Sequence, residues 1–262
     1  MVIPVHDLNP LRRTPWVTYA LIALNVVIFL LSPGTLHTVS AVAAFCQQEA
    51  FYDHWGAIPH EMITGHQLLR PVPTGQEVGT AHGPACVLAS RPYHKNPWLS
   101  VLTAMFVHTG WLHLLGNMLF LLIFGNNIED RFGRIWYPVF YLACGYVAAY
   151  GFAAMNAGSA DPLVGASGAI SGILGAYLVL YPRARVWSLV PFLLFIPLPI
   201  PAWIVLGLWF VLQWVDAIGH SAAGGGVAYL AHVFGFVAGM LVGLAVRARG
   251  SGQAAPRPVQ PS

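Results

Sequence analysis

Six stretches of this chain are apolar over enough residues to cross the roughly 30 Å hydrocarbon layer of a bilayer, which takes about 20 helical residues. They are 16–32, 111–128, 135–155, 163–181, 201–218 and 227–246. Few features limit a fold more, because lipid offers no hydrogen bond to a stray backbone group, so a span is a helix or part of a closed barrel. These segments lack two-residue alternation and are rich in Ala, Leu and Gly, which favours helices over barrel strands. The chain is 8% charged with a mean hydropathy of +0.65, against about 25% charged for a soluble domain. The expected class is therefore an all-α polytopic membrane protein with six transmembrane helices. A net charge of +3 is too small to imply a nucleic-acid partner. The apolar run 186–200 is broken by Pro191, Pro197 and Pro199 and reads as an interfacial or re-entrant connection into the fifth helix.

Positive charge sets the orientation. Arg12, Arg13, Arg131, Arg134, Arg183, Arg185, Arg247, Arg249 and Arg257 all fall on one face of a six-span topology, against Arg70, Arg91 and Lys95 on the other. Nine against three places both termini in the cytoplasm, with a bacterial inner membrane as the expected location. The first apolar segment could instead be a cleaved signal with Ala41-Val42-Ala43 as its site. Its full span length, and the distance to that site, favour an uncleaved anchor.

The expected organisation is a lead (1–15), a first span (16–32), a long extracytoplasmic loop (33–97), a helical core (98–248) and a disordered cytoplasmic tail (249–262). The loop holds Cys46 and Cys86; in an oxidising compartment they could form a disulfide or remain two thiols. Cys144 reads as a small buried apolar residue. His60-Glu61 begins like a zinc-protease motif, but the residue one turn on is Thr64, so no metal site follows. The loop's other histidines read as surface residues.

Chemistry concentrates in three helices. Ser167 lies in Gly165-Ala166-Ser167-Gly168, and His232 follows Ala231 in the last span. Each must find a partner or a wet cavity at membrane depth, and together they would be a nucleophile and its general base. Small residues at this spacing also simply pack membrane helices. The stripe Gly235, Gly239 and Gly243, facing Gly168, Gly172 and Gly175, would let two backbones approach closely enough for a serine–imidazole bond. His113 and Asn117 are four residues apart and share a helix face. Both can donate to a developing oxyanion. The charge topology puts the starts of all three helices on one side of the membrane, so four polar residues converge, which favours catalysis over packing.

Phe106-Val107-His108, His113-Leu-Leu-Gly-Asn117, Gly125-Asn-Asn-Ile-Glu129-Asp-Arg131-Phe-Gly133, Gly165-Ala-Ser167-Gly168, and Ala231-His232 with Gly235 and Gly239 occur in order. In this the chain resembles the rhomboid intramembrane serine proteases over roughly 98–246 and the first helix. The resemblance implies a six-helix core that cleaves transmembrane segments of other membrane proteins within the lipid bilayer. By position Ser167 would be the nucleophile and His232 the base, with His113, Asn117 and the Ser167 amide stabilising the oxyanion. Gly165, Gly168, Gly235 and Gly239 would be supporting residues. Glu129, Arg131 and His108 would be structural. Ser171 stands where some bacterial members carry a tyrosine that packs on the histidine.

The expected activity is thus a serine endopeptidase without metal or cofactor, with the fifth helix and the segment 219–226 as a lateral gate. The alternative is a non-catalytic rhomboid-like protein that binds or escorts helices. A transporter would favour intramembrane carboxylates, and Asp216 is the only one expected within a span. The natural substrate and the oligomeric state are not legible.

Overall fold

The computed structural model describes residues 3–35, 39–81, 83–90, 94–190, 195–220 and 228–251. The expected disordered tail lies outside them from residue 252 on, and the expected gate segment from residue 221 to 226.

The apolar segments form helices around a shared core. They are α1 (Trp16–Leu31), α5 (Trp111–Phe120) running through a π turn at Leu121–Gly125 into α6 (Asn126–Met155), α7 (Ser167–Leu180), α8 (Ala202–His220) and α9 (Tyr229–Ser251). Among the described residues, three helical runs are long and apolar enough to cross a membrane: Trp111–Met155, Ala202–Gly219 and Tyr229–Arg249; Trp16–Leu31 and Ser167–Leu180 are shorter apolar helices. The first of these runs is not one rod. Gly133 has φ +79° and ψ 164°, a conformation that side-chain-bearing residues rarely adopt, and the helix breaks there.

Two buried polar ties fix the end of the bundle at which α1 begins. The Glu129 carboxylate accepts from the Val17 amide at 3.0 Å, the Thr18 amide at 2.7 Å and the Thr18 hydroxyl at 2.8 Å. It thereby satisfies donors that a helix start leaves open and adds negative charge at the positive end of the α1 dipole. Asp7 Oδ2 accepts from Asn127 Nδ2 and from the Tyr177 hydroxyl, each at 2.7 Å.

The chain is not all-α. Residues expected as a polar lead supply β1 (Ile3–Asp7), and the expected re-entrant connection is a hairpin, β4 (Arg185–Val190) and β5 (Ile196–Pro201). These form an antiparallel sheet in the order β1-β4-β5. Pro197, Pro199 and Pro201 break helices, yet they suit an edge strand. Spaced by two, all three lack N–H groups on the same side, so that side can face away from β4 without loss.

Within the expected long loop the chain is structured. It contains α2 (Ala41–Trp55), α3 (Pro59–Thr64) and the hairpin β2 (Pro71–Thr80) with β3 (Gly83–Ser90), ahead of α4 (Pro97–Ala104). A disulfide joins Cys46 to Cys86. Ser40 caps α2 by accepting from the Ala43 amide, and its hydroxyl also donates to Glu77. Lys95 Nζ lies 3.2 Å from Glu61 Oε2 with both side chains buried, and it donates to the Asp53 carbonyl at 2.7 Å. Arg70 pairs with Asp53 at 3.2 Å. This cap reaches the helical core through an antiparallel bridge between Ala57 and Leu163, four residues before Ser167.

Candidate active site

The site is built where α5, α7 and α9 begin, under the cap. α7 and α9 lie in backbone contact. A Cβ added at Gly235 would overlap the Gly168 carbonyl, and one at Gly239 the Gly172 carbonyl. The glycine stripe therefore faces α7, as its spacing requires. Gly168 abuts Ala148 and Gly172 abuts Cys144, both on α6, so α7 is packed closely on two sides.

This approach brings Ser167 and His232 together. His232 Nε2 is 2.7 Å from Ser167 Oγ. His232 is buried, while Ser167, the first residue of α7, is half-buried. Gly165 has φ +122°, and its amide donates to the Ala104 carbonyl at 2.8 Å, which anchors the turn ahead of the serine. The absent Gly165 side chain matters twice: a Cβ there would be strained, and it would sit 2.7 Å from His113 Nε2.

His113 and Asn117 lie on one face of α5 and line the same cavity, about 780 Å³, as Ser167 and His232. The Thr109 amide donates to His113 Nδ1 at 3.4 Å, and the Thr109 hydroxyl is 3.1 Å from the same atom. An Nδ1 that accepts leaves the ring proton on Nε2, the nitrogen beside Gly165. Asn117 Nδ2 donates to the His113 carbonyl at 2.8 Å, and a second amide hydrogen remains. The Ser167 amide belongs to the first turn of α7, whose donors have no partner within the helix. His108 is fully buried against His113, ring centroids 5.0 Å apart. Among the described residues neither of its ring nitrogens has a hydrogen-bond partner.

Sequence reasoning missed the residue on the far side of His232. Gln213 on α8 is buried, and its Oε1 lies 2.6 Å from His232 Nδ1. Trp209, one turn earlier, lies 6.0 Å from the imidazole, tilted 32°, and Tyr229 meets it edge-on at 6.3 Å. Ser171 instead donates to the Ser167 carbonyl at 2.6 Å. The imidazole is thus flanked by α8 and α9 rather than from position 171. A signal for Gln213 was present, since it is a lone amide in an otherwise apolar run.

Residues 95–249 match the rhomboid domain, more than half of the chain, and the chain belongs to the rhomboid family. It is 26% identical to RHOMBOID-like protein 5 of Arabidopsis thaliana over 170 residues, 64% of this chain and 52% of that protein. It is 29% identical over 150 residues to Rhomboid protein 1, mitochondrial, of Saccharomyces cerevisiae, 55% of this chain and 41% of the relative. It is 38% identical over 84 residues to Rhomboid protease GluP of Bacillus subtilis, 32% of this chain and 16% of the relative. The chain spans about half or less of the length of these relatives. Family membership and the three long apolar helices make this an integral membrane protein.

Proposed function

We propose that this protein is an intramembrane serine endopeptidase that hydrolyses peptide bonds in or near transmembrane segments of other membrane proteins. The observation that carries the reading is the 2.7 Å approach of His232 Nε2 to Ser167 Oγ, made between two apolar helices. His232 takes the hydroxyl proton as Ser167 Oγ bonds to the substrate carbonyl carbon. The resulting oxyanion accepts hydrogen bonds from His113 Nε2–H, Asn117 Nδ2–H and the Ser167 amide. Collapse breaks the peptide bond, and the leaving amine takes the proton from His232. Water, deprotonated by the same imidazole, then releases the acyl group. Because a bound helix must unwind to expose its carbonyl, residues that weaken helices are expected near the cut.

In this reading the chain crosses the bilayer six times, the run Trp111–Met155 crossing twice through its break at Gly133. The arginine-rich face is cytoplasmic, and the cap and the site opening are on the opposite side. Substrate helices enter past α8.

The test is cleavage of a labelled single-span protein in reconstituted vesicles by the parent, Ser167→Ala and His232→Ala. Cleavage by the parent, lost in both variants while each remains folded, supports the dyad. Cleavage by folded Ser167→Ala refutes the assigned nucleophile. A parent that cuts none of a broad panel of test helices moves the reading to a helix-binding protein of the same fold.

A further inference from the structure

Resting on the Ser167–His232 chemistry just proposed, we propose that Gln213 is the positioning residue for the base. Its side-chain carbonyl holds the proton of His232 on Nδ1, and it does so only while α8 is docked against α9. Three helices supply one line of contacts: Gln213 Oε1 to His232 Nδ1 at 2.6 Å, and His232 Nε2 to Ser167 Oγ at 2.7 Å. A neutral imidazole has one ring proton. An amide oxygen has none to give, so its bond to Nδ1 requires the proton there. Nε2 then offers its lone pair to the serine hydroxyl. The opposite tautomer would aim an N–H at the atom that must lose a proton, and would set two acceptors face to face at Gln213. Serine hydrolases in water assign this task to a buried carboxylate. An amide does it without placing a second charge at membrane depth, where charge is costly.

The setting of Gln213 matches this task. It is 7% exposed, and it is the only buried polar residue among the described side chains of α8. The rest of the inner face of α8 is apolar: Val205, Leu206 and Ala217 are buried, Trp209 lies by His232, and Phe210 stacks on Phe236 at 4.6 Å. The foot of α8 is held separately. β5 runs directly into it, and the amides of Ala202 and Trp203 donate to the carbonyls of Ala184 and Pro182. Gln213 stands about 16 Å farther along the helix, at 1.5 Å per residue. An outward tilt of α8 about its anchored foot, of the kind that would admit a substrate helix, parts Gln213 from His232. The base then loses its orienting partner until α8 returns, which confines proton transfer to the docked state.

The experiment uses the full chain in lipid nanodiscs with ¹⁵N-labelled histidine, the His232→Ala protein serving to assign its resonances among the 11 histidines. The ring-nitrogen shifts read the tautomer without any substrate. The expected result is an Nδ1–H form in the parent, lost or mixed in Gln213→Met. On the single-span substrate, Gln213→Met is expected to lose about 10–100-fold in kcat with KM little changed, as misorientation of a catalytic group does.

Gln213→Glu keeps the shape and the acceptor. It should therefore keep the Nδ1–H form that Gln213→Met loses. An Nε2–H form in the parent overturns the proposal, as does a folded Gln213→Met with parental tautomer and kcat. If Gln213→Met fails to fold, loss of the Nδ1–H form in a folded Gln213→Glu overturns it. A parent that cleaves nothing, yet shows an Nδ1–H form that Gln213→Met abolishes, overturns the endopeptidase reading and supports the role of Gln213.

Discussion

Gly239 is where a single atom matters most. Its Cα hydrogen faces the Gly172 carbonyl, and a methyl there would overlap backbone rather than a movable side chain. Gly239→Ala should therefore force α7 and α9 apart, with a stability loss of about 1–3 kcal/mol in detergent unfolding experiments. Cleavage should fall as well, because the same spacing sets the Ser167–His232 distance. Gly116, where an added Cβ meets nothing within 4 Å, should accept alanine with little change in unfolding and so serves as the control. That Ser167, His232, His113 and Asn117 line one cavity was legible because each is a polar residue in an apolar helix whose partner has a recognisable spacing. Gln213 and Thr109 were not picked out. Which residues they meet depends on the rotation of α8 and on the turn entering α5, and neither follows from residue spacing in one chain.

At the scale of elements, carboxylates and prolines decide what the hydrophobic pattern leaves open. Glu129 serves three donors at the start of α1, so Glu129→Ala should cost about 1–2 kcal/mol, in the range of lost helix caps, seen as a lower unfolding midpoint. The apolar helices were legible from apolar length. The sheet was not, because the proline run 191–201 was read only as a helix breaker, although prolines at every second position also fit an edge strand. The cap was read as a loop for a related reason: α2 is only weakly apolar, and its support comes from distant residues. Cys46 and Cys86, 40 residues apart, close a loop whose cross-link is worth about 2–4 kcal/mol in typical proteins. The double variant Cys46→Ser, Cys86→Ser should raise amide exchange across α2 and the β2–β3 hairpin while sparing α7 and α9.

At the scale of the whole molecule, the buried carboxyl of Asp7 ties a strand outside the spans to the bundle. Burial raises its pKa above the ordinary value of 3.8, and the Tyr177 hydrogen bond opposes the shift only in part. The folded state therefore holds this proton more tightly than the unfolded chain does. The associated stability is complete below the ordinary carboxylate range and is lost as pH rises through the folded-state value. Asp7→Asn should remove that dependence, so variant and parent should diverge in the variant's favour as pH rises from about 4 toward 7. Thermal unfolding across that range measures it.

The pairing of Ile3 with Leu189 also has a consequence for biogenesis. A ribosome must make the chain through α7 before β1 meets the hairpin it pairs with, and Asp7 waits almost as long for Tyr177. Until then the strand and its carboxyl lack these native partners. Contacts of such sequence separation form late. The sheet therefore acts as a clasp that closes only after β4 and β5 are made, ahead of α8 and α9, and β4 and β5 carry the foot of α8 into place with it. Chains arrested before residue 185 should expose Ile3–Asp7 to protease, and chains extended past residue 201 should protect it.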